Sequence, residues 1–229
     1  MRVLLFDVFG TLVDWRASLI ETAEATAPAG ADGDWAPVID DWRRAYQPAM
    51  DRVRQGAAWQ DLDSLQRQTL DDVLTRRALT VSAADRETLV RGWRRLRPWP
   101  DSGPGLDRLR RAYVTATLSN GHLALLADLL KFADLRVDAV LSAQLAGSYK
   151  PDPGVYRTAL ELLECQPEDA GMVAAHPSDL RAAAALGLRP IFVRRPLEWG
   201  LGTPPADPPA LAGLLAADGL EDLAAALGC

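Results

Sequence analysis

The chain begins with a short apolar run, Val3-Leu4-Leu5-Phe6, followed directly by Asp7-Val8-Phe9-Gly10-Thr11. The run predicts a buried strand that carries a carboxylate at its C-terminal end, with a Gly-Thr turn behind it. In open α/β sheets, ligands bind outside that end of the strands, and an Asp placed there can act as a covalent nucleophile. Taken alone, Asp7 could also begin a turn or cap a helix, because Asp is common in both positions.

Further strand-like runs alternate with helical patterns in the second half of the chain. Strands are predicted at residues 3–7, 113–118, 139–142, 172–175 and 191–193, and helices between the later ones at 123–132, 155–164 and 180–186. Alternation of strand and helix predicts a parallel sheet with right-handed crossover connections. The predicted fold class is therefore α/β.

About a hundred residues separate the first predicted strand from the second, far more than one crossover helix needs. This segment contains amphipathic stretches at residues 17–27, 35–54, 63–77 and 83–96, and it ends near Pro98-Trp99-Pro100. We interpret it as a helical cap at residues 14–98, inserted into a core domain made of residues 1–13 and 99–229. The 229 residues, 48% of them hydrophobic, suffice for a core domain with such an insert.

Charge and cysteine content exclude several classes of partner and compartment. The net charge of −6 argues against nucleic acids and anionic membranes as partners. No apolar stretch approaches the about 18 residues of a membrane span, and Met1-Arg2 leads straight into a strand without a signal peptide. Cys165 and Cys229 are too few for a disulfide framework, which fits a reducing compartment. We therefore expect a cytoplasmic protein.

Three later segments place polar residues beside the predicted strands. Ser119-Asn120-Gly121 follows one strand, Lys150 lies in Ser148-Tyr149-Lys150-Pro151-Asp152-Pro153, and Ala174-Ala175-His176-Pro177-Ser178-Asp179 ends the fourth strand. A hydroxyl at a strand end beside a helix N-terminus is an anion site in outline. Each segment has an ordinary structural alternative as well: a cap and a turn, a solvated lysine, and a structural histidine. Lys150 stands out because the chain has only one other lysine, Lys131.

Together the four segments, from Asp7 to Asp179, resemble in order the four signatures of the haloacid dehalogenase superfamily, and the resemblance covers nearly the whole chain. It implies a Rossmann-like parallel sheet with an inserted helical cap. Phosphatases of this superfamily place a second Asp where this chain has Phe9, and an aromatic there is typical of the 2-haloacid dehalogenases. Phosphatases also place a carboxylate near Ala175 to hold Mg²⁺, which prefers several oxygen ligands. The resemblance thus implies neither a metal nor another cofactor.

The resemblance also assigns catalytic roles. Asp7 is the nucleophile that forms an aspartyl ester, and Thr11 fixes its carboxylate. Lys150 keeps Asp7 ionised and oriented, since a nearby positive charge lowers the pKa of a carboxyl group. Asp179 supports Lys150, and Asp179 and His176 position the water that cleaves the ester.

Substrate contacts follow from the same resemblance. Ser119 binds the substrate carboxylate and Asn120 faces the halide, while Phe9 and Tyr156 line the site; Tyr156 could equally be a core residue. Trp42-Arg43 resembles the Trp-Arg pair that presents a guanidinium to the departing halide, although Arg44 could take the place of Arg43. On a helix, one face would carry Arg43, Gln47, Met50 and Arg54.

Two residues depart from the dehalogenase pattern. Ser178 stands where an aromatic usually lines the halide site, so Trp42, Tyr46 or Trp59 would have to fill that wall. Pro177 stiffens a turn that need not contain Pro. We expect metal-independent hydrolysis of short 2-haloalkanoic acids, with fluoroacetate among the candidates, in an enzyme that could form a homodimer. The alternatives are a Mg-dependent phosphatase of the same superfamily and a catalytically weakened protein that binds small anions or a partner.

Overall fold

The fold is built on parallel strands that alternate with helices. The computed structural model of the chain describes residues 1–26 and 34–229. The strands in these residues are β1 (Val3–Phe6), β2 (Val13–Asp14), β3 (Arg97–Pro98), β4 (Val114–Ser119), β5 (Ala139–Ser142), β6 (Ala170–Ala174), β7 (Arg189–Val193) and β8 (Leu215–Ala217). The helices are α1 (Trp15–Thr26), α2 (Ala36–Arg54), α3 (Leu62–Arg76), α4 (Ala83–Gly92), α5 (Ser102–Leu109), α6 (Leu123–Phe132), α7 (Pro153–Leu162), α8 (Pro177–Ala185) and α9 (Leu220–Ala226).

Six of the strands form one sheet in the order β5-β4-β1-β6-β7-β8, and every neighbouring pair runs parallel. All residues of β1 and β6 are buried. Strands of a parallel sheet are covered on both faces, which explains why they are apolar throughout rather than alternating with polar residues. The predicted α/β class with a Rossmann-like sheet is confirmed.

Strand β1 lies in the middle of the sheet and pairs with β4 on one side and β6 on the other. The later strands therefore lie on both sides of β1, with β4 and β5 on one side and β6, β7 and β8 on the other. The C-terminal ends of β4, β1 and β6 lie next to one another at one edge of the sheet. Such a point, where the strand order reverses, is where open α/β sheets bind ligands. Asp7, Asn120 and His176 all follow this edge closely in sequence.

Helices α1 to α4 come between β2 and β3 and pack on one another in adjacent pairs. Two of them begin at side-chain caps, where Asp61 accepts from the amide of Ser64 at 2.8 Å and Ser82 accepts from the amide of Asp85 at 3.1 Å. An aromatic cluster centred on Trp93 fills the space between these helices and the sheet. The rings of Phe9, Trp15, Trp42 and Tyr46 each lie within 6.3 Å of it, centroid to centroid.

The two chain segments that lead into and out of these helices pair with each other. Val13 lies opposite Pro98, and Asp14 lies opposite Arg97, in the two-stranded antiparallel sheet of β2 and β3. The pair coincides with the predicted boundaries of the cap at residues 14 and 98. It supports that division of the chain, which stays a prediction.

Several predicted elements differ from the observed ones at their ends. Helix α8 begins at Pro177 rather than at residue 180, because Pro fits the first helical position, where no amide donor is needed. Strand β6 begins at Ala170 rather than at 172, and β1 ends one residue before Asp7. Ala27, at the end of the predicted stretch 17–27, lies outside the described residues.

Other elements had no clear signal in the sequence. The short edge strand β8 has only three residues, and α5 begins Ser-Gly-Pro-Gly, a composition typical of turns. Within the described part of the chain, no helix is both long enough and apolar enough to cross a membrane.

Candidate active site

The site is centred on Asp7, which follows β1 directly and is only 6% exposed. Its backbone amide donates to the carbonyl of Val173 at 3.0 Å, which holds the residue against β6. Gly10 has a φ of +86°, a left-handed conformation that favours glycine, and so the chain turns back on itself. The hydroxyl of Thr11 then donates to Oδ2 of Asp7 at 2.8 Å and accepts from the amide of Ala175 at 3.0 Å. The turn thus orients the carboxylate.

Lys150 lies between two carboxylates. Its Nζ donates to Oδ1 of Asp7 at 2.9 Å and to Oδ2 of Asp179 at 2.5 Å. Burial alone would lower the pKa of Lys150, but the two carboxylates outweigh it and raise that pKa. Burial would also raise the pKa of Asp7, yet the Lys150 charge and the hydrogen bond to His176 hold it well below its usual range. Asp7 is therefore ionised at neutral pH, as a nucleophile must be.

Asp179 is held from its other side by Tyr156. The phenol hydroxyl donates to Oδ1 of Asp179 at 2.5 Å. Burial, with Asp7 nearby, raises the pKa of Asp179 against the opposing charge of Lys150. Burial and the adjacent Asp179 also raise the pKa of Tyr156, so the phenol keeps its proton. Tyr156 is fully buried and reaches the site only through Asp179.

His176 bridges two carboxylates, one of which the sequence analysis did not identify. Nδ1 lies 2.9 Å from Oδ2 of Asp7, and Nε2 lies 2.9 Å from Oε1 of Glu198. Burial would lower the pKa of His176, but Glu198 and Asp7 together raise it to about 10. The imidazole is therefore protonated at neutral pH and donates to both carboxylates. Burial would raise the pKa of Glu198, and the charges of His176 and Arg43 lower it.

Ser119 and Asn120 follow β4 but differ in their surroundings. The Oδ1 of Asn120 accepts from the backbone amide of Lys150 at 2.7 Å, which ties the lysine loop to the end of β4. The hydroxyl of Ser119 accepts from the amide of Gly121 at 3.2 Å and is fully buried. Asn120 borders the cavity described below, whereas Ser119 lies behind it.

Helix α2 supplies the opposite wall of the site. Arg43, Gln47, Met50 and Arg54 all line the cavity, as their helical spacing predicts. The guanidinium carbon of Arg43 lies 4.6 Å from the ring centre of Tyr46 and 5.4 Å from that of Trp15. Burial lowers the pKa of Arg43 against the opposing charges of Glu198 and Asp7. Its Nε is buried without a hydrogen-bond partner in the described residues, so the guanidinium has an unused donor.

The two neighbours of Arg43 point elsewhere. Trp42 was expected to bind substrate or halide, but its indole is fully buried and Nε1 donates to the carbonyl of Gln66 at 2.8 Å. Trp42 therefore packs within the cap and does not line the cavity. Arg44 is exposed and lies over the ring of Trp199 at 5.1 Å. Of the two arginines that the sequence left open, Arg43 is the one that borders the cavity.

The edge of the sheet and helix α2 line a cavity of about 370 Å³. Its wall contains both acidic and basic side chains and is closed on the cap side by an aromatic residue and methionine. The lining residues are Asp7, Phe9, Arg43, Tyr46, Gln47, Met50, Arg54, Asn120, Lys150, Pro151, His176, Ser178 and Asp179. A cavity of this size fits a small molecule.

Ser178 lines the cavity with an exposed side chain, so the position leaves one wall polar and open. Of the aromatic residues that could replace the missing ring, Tyr46 lines the cavity, whereas Trp59 stacks on Tyr149 with 4.6 Å between ring centres. Pro177 forms the first turn of α8, which also contains Asp179.

The residues at the site do not fit a divalent cation. The ring of Phe9 packs at 80° to that of Trp93 with 5.6 Å between ring centroids, and neither Phe9 nor Ala175 has a ligand atom in its side chain. The ammonium of Lys150 occupies the position between Asp7 and Asp179. Among residues 1–26 and 34–229, no three His, Cys, Asp or Glu side chains are grouped so that they could hold a metal ion.

Glu198 was not predicted from the sequence. This residue lies in the loop after β7, five residues beyond the strand, and it is 5% exposed. Trp15 donates from Nε1 to Oε1 of Glu198 at 3.1 Å. A side chain at Gly10 would collide with the Glu198 carboxylate, so Gly10 also makes room for it. The only signal in the sequence is a carboxylate that follows another parallel strand, because the ends of such strands meet at one edge.

Comparisons with known proteins identify a family and several similar proteins. Residues 1–187 match the family described as haloacid dehalogenase-like hydrolase. The (S)-2-haloacid dehalogenase 4A of Burkholderia cepacia is 28% identical over 205 residues, covering 85% of this chain and 84% of that protein. The crystal structure of an L-2-haloacid dehalogenase is 45% identical, has a TM-score of 0.91 and is covered over 99% of both chains. That of a defluorinating L-2-haloacid dehalogenase is 36% identical, with a TM-score of 0.93 over 100% of this chain and 96% of the other.

Removing the Lys150 ammonium tests how far the site depends on it. We expect Lys150→Met to lower the free energy of unfolding at neutral pH by about 3–5 kcal/mol, because it breaks the buried ion pairs of Asp7 and Asp179, one of which must then take up a proton or stay charged out of water. The deficit should shrink in acid. Because the folded-state pKa of Asp7 is lowered, its ion pair stabilises the wild type fully above the unfolded-state pKa of Asp7, and this stabilisation is lost as the pH falls from there toward the folded-state pKa. Urea unfolding between neutral and acidic pH measures both effects.

The chain offers a matched control in Lys131→Met, which removes the other lysine from the exposed side of α6. This variant should unfold like the wild type at every pH. An equal loss of stability in both lysine variants would contradict the account of Lys150.

Proposed function

The chain belongs to the haloacid dehalogenase-like hydrolase family, and on that premise we propose that it hydrolyses the carbon–halogen bond of short 2-haloalkanoic acids. In the first step a carboxylate oxygen of Asp7 attacks C2, the carbon–halogen bond breaks, and the halide leaves with the bonding electrons. In the second step water attacks the carbonyl carbon of the resulting ester, which releases the 2-hydroxy acid. Displacement at C2 inverts that carbon.

The observation that carries this proposal is the ionised Asp7 beside Phe9. Lys150, Thr11 and His176 all donate to the Asp7 carboxylate, which holds one orientation with no second carboxylate at position 9 to act as an acid. A phosphoryl transfer would need that acid to protonate an alkoxide leaving group. A halide leaves as a stable anion and needs no proton, so Phe9 suits displacement at carbon.

Arg43 is the proposed receptor for the leaving halide. Its guanidinium lies close to the rings of Trp15 and Tyr46, borders the cavity and has an Nε donor that no residue of the described ranges uses. A fixed cation helps most where negative charge develops in the transition state. Asn120, on the opposite wall, is the second halide contact in this proposal.

Substrate binding follows from the charge of the cavity wall. The cations Arg43, Arg54 and Lys150 suit a carboxylic acid anion. Ser119, at the end of β4, is the proposed carboxylate contact; since its side chain lies behind the cavity wall, the contact would run through the backbone beside it.

His176 and Asp179 belong to the second step in this proposal. His176 borders the cavity next to the Asp7 carboxylate, where water must approach the ester carbonyl carbon. Asp179, fixed by Tyr156 and Lys150, helps orient that water. A general base at this position is expected to contribute ~10²–10⁴-fold to the rate.

Within the short 2-haloalkanoic acids, we propose fluoroacetate as one of the substrates. The 36% identity to a defluorinating L-2-haloacid dehalogenase supports it, and the open wall at Ser178 leaves room for chloride and bromide as well. A cytoplasmic location and a homodimer remain predictions.

The activity can be tested with fluoro-, chloro- and bromoacetate, each with and without EDTA. We expect halide release that survives chelation, because no residue of the site requires a metal. The variant Asp7→Asn should release no halide, since an amide is a poor nucleophile. Ion chromatography measures the product, and circular dichroism checks that the variant is folded.

Other outcomes of that assay would support a different function. Release of phosphate from p-nitrophenyl phosphate, abolished by EDTA, would identify a metal-dependent phosphatase. Release of neither halide nor phosphate would favour a protein that only binds small anions or a partner.

The halide receptor can be tested with two adjacent arginines. Arg43→Ala should slow the release of every halide by ~10²–10³-fold, the typical cost of losing a preorganised donor. Fluoride should suffer most, because it is the poorest leaving group and has the most concentrated charge. Arg44→Ala is the matched control and should keep wild-type rates. Small and equal effects of both substitutions would mean that another cap residue receives the halide.

A further inference from the structure

Asp7, His176 and Glu198 form a continuous hydrogen-bonded line across the edge of the sheet. Asp7 and Glu198 lie on opposite sides of the imidazole, each 2.9 Å from one ring nitrogen. Asp7 follows β1, His176 follows β6 and Glu198 follows β7, and these three strands are neighbours in the sheet. Because both ring nitrogens are engaged, the ring plane and the direction of each nitrogen are fixed.

Glu198 does not border the substrate cavity and so does not touch a bound 2-haloacid. It lines a second cavity of about 360 Å³ instead, together with His176, Arg195 and Trp199. Its carboxylate is 5% exposed and accepts from His176 and from Trp15. A buried charge is costly unless it is paired. The pairing of Glu198 with Nε2 of His176 therefore points to a role for Glu198 in setting the charge and orientation of that histidine.

The charges that face His176 are not balanced. The two carboxylates of Asp7 and Glu198 are in direct contact with the ring. The cations around it are Lys150, Arg43 and Arg54 in the substrate cavity and Arg44 and Arg195 in the second cavity, and Asp179 lies beyond Lys150. Of these cations, Lys150 already bonds to Asp7, and Arg195 bonds to Asp101 at 2.8 Å. The two contacting anions therefore dominate and hold a proton on the imidazole.

We propose that Glu198 is the positioning residue that makes His176 a base only after Asp7 has become an ester. The inference rests on the proposed function, because it concerns the ester that the first step forms. Before alkylation, the imidazolium donates to both Asp7 and Glu198. Alkylation removes the negative charge of Asp7, and the imidazolium then faces Glu198 alone.

The proton balance of the cycle follows from this change. After alkylation, His176 releases one proton to solvent, and its Nδ1 becomes an acceptor beside the ester. Water attacks the Asp7 carbonyl carbon and gives a proton to Nδ1, and the bond between that carbon and the ester oxygen breaks. One proton of the water ends on the hydroxyl of the product. The other restores the imidazolium beside the Asp7 carboxylate, so the net products are the hydroxy acid, the halide and one proton.

The second cavity gives the released proton a route that avoids bound substrate. His176 borders both cavities, so its ring forms part of the wall between them. The pKa of His176 is about 10 with both carboxylates ionised and must fall once Asp7 is neutral. A base whose pKa lies nearer neutrality serves best at neutral pH.

Quenched time courses of the Glu198→Gln variant with chloroacetate test the role of the Glu198 carboxylate. Glutamine has the same shape and can still accept from Trp15, so we expect a rapid release of one equivalent of chloride. Hydrolysis should then be slower by about tenfold or more, part of the ~10²–10⁴ that a general base contributes. Mass spectrometry of the Asp7 peptide should show the accumulated ester. Glu198→Asp, which keeps the charge, should recover part of the rate.

The pH dependence separates this role from a structural one. Ester hydrolysis should rise with pH as His176 loses its proton. Because Glu198 raises the pKa of His176, Glu198→Gln should move that rise to lower pH, whereas Glu198→Asp should leave it near the wild-type position. A distorted site would lower the rate without moving the rise. The control Asp138→Asn changes a paired carboxylate at the opposite edge of the sheet. It should change neither the rate of ester hydrolysis nor the pH at which that rate rises.

A titration without substrate tests the charge change directly. The chain contains only two histidines, His122 and His176, so their nitrogen NMR signals can be resolved and followed. Asp7→Asn mimics the neutral ester, and we expect it to lower the pKa of His176 by at least about one unit relative to the wild type. An unchanged pKa in this variant would overturn the proposal.

The kinetics of the Glu198 variants and the NMR titration together distinguish failure of the inference from failure of the proposed function. A wild type that releases no halide would refute the proposed function, while the NMR titration would still report on the charge change. Halide release with no ester accumulation and an unmoved pH profile in Glu198→Gln would refute the role of Glu198 alone. If Glu198→Gln does not fold, Glu198→Asp and the Asp7→Asn titration decide the question.

Discussion

The buried ammonium of Lys150 allows two carboxylates to lie together out of water. Asp7 and Asp179 are each about as buried as the lysine, and both bond to the same Nζ. Without that cation, one carboxylate would take up a proton, because like charges at close range cannot both ionise in a dry environment. Together with the hydrogen bond from His176, this contact lowers the pKa of Asp7 and keeps it ionised. The backbone of Lys150 is in turn fixed by Asn120, so the end of β4 also depends on it.

The sheet and the cap divide the chemistry between them. The edge of the sheet brings Asp7, Lys150 and His176 to one place, and these are the groups that form and cleave the ester in the proposed reaction. Helix α2 brings Arg43, with Tyr46 beside it, to the other side of the cavity, where the proposal places the leaving halide. If the proposal holds, α2 governs which halide can leave, and the sheet edge governs how the ester is hydrolysed. Substitutions in the two regions should affect different steps.

The meeting of Asp7, Lys150 and Asp179 was implied by the family resemblance. Sequence patterns predicted the α/β sheet from the alternation of strands and helices, and the inserted helices from the amphipathic stretches between the first two strands. They could not predict Glu198, whose reach depends on the path of the loop after β7 and on the space that Gly10 leaves. Trp42 was misplaced since adjacent residues on a helix face different directions, and the resemblance treated Trp42 and Arg43 as a pair. Because Arg43 faces the cavity, Trp42 faces away from it and packs against α3.

The ester on Asp7 is the central claim, and a single turnover in ¹⁸O-labelled water tests it most directly. With enzyme in excess over chloroacetate, each active site reacts once, and the peptide that contains Asp7 is then analysed by mass spectrometry. Attack of water on the ester carbonyl carbon predicts that one ¹⁸O atom is found in the Asp7 carboxylate, with an unlabelled hydroxyl in the product. Label in the product hydroxyl and none in Asp7 would mean that water attacks C2 directly, which would contradict the account.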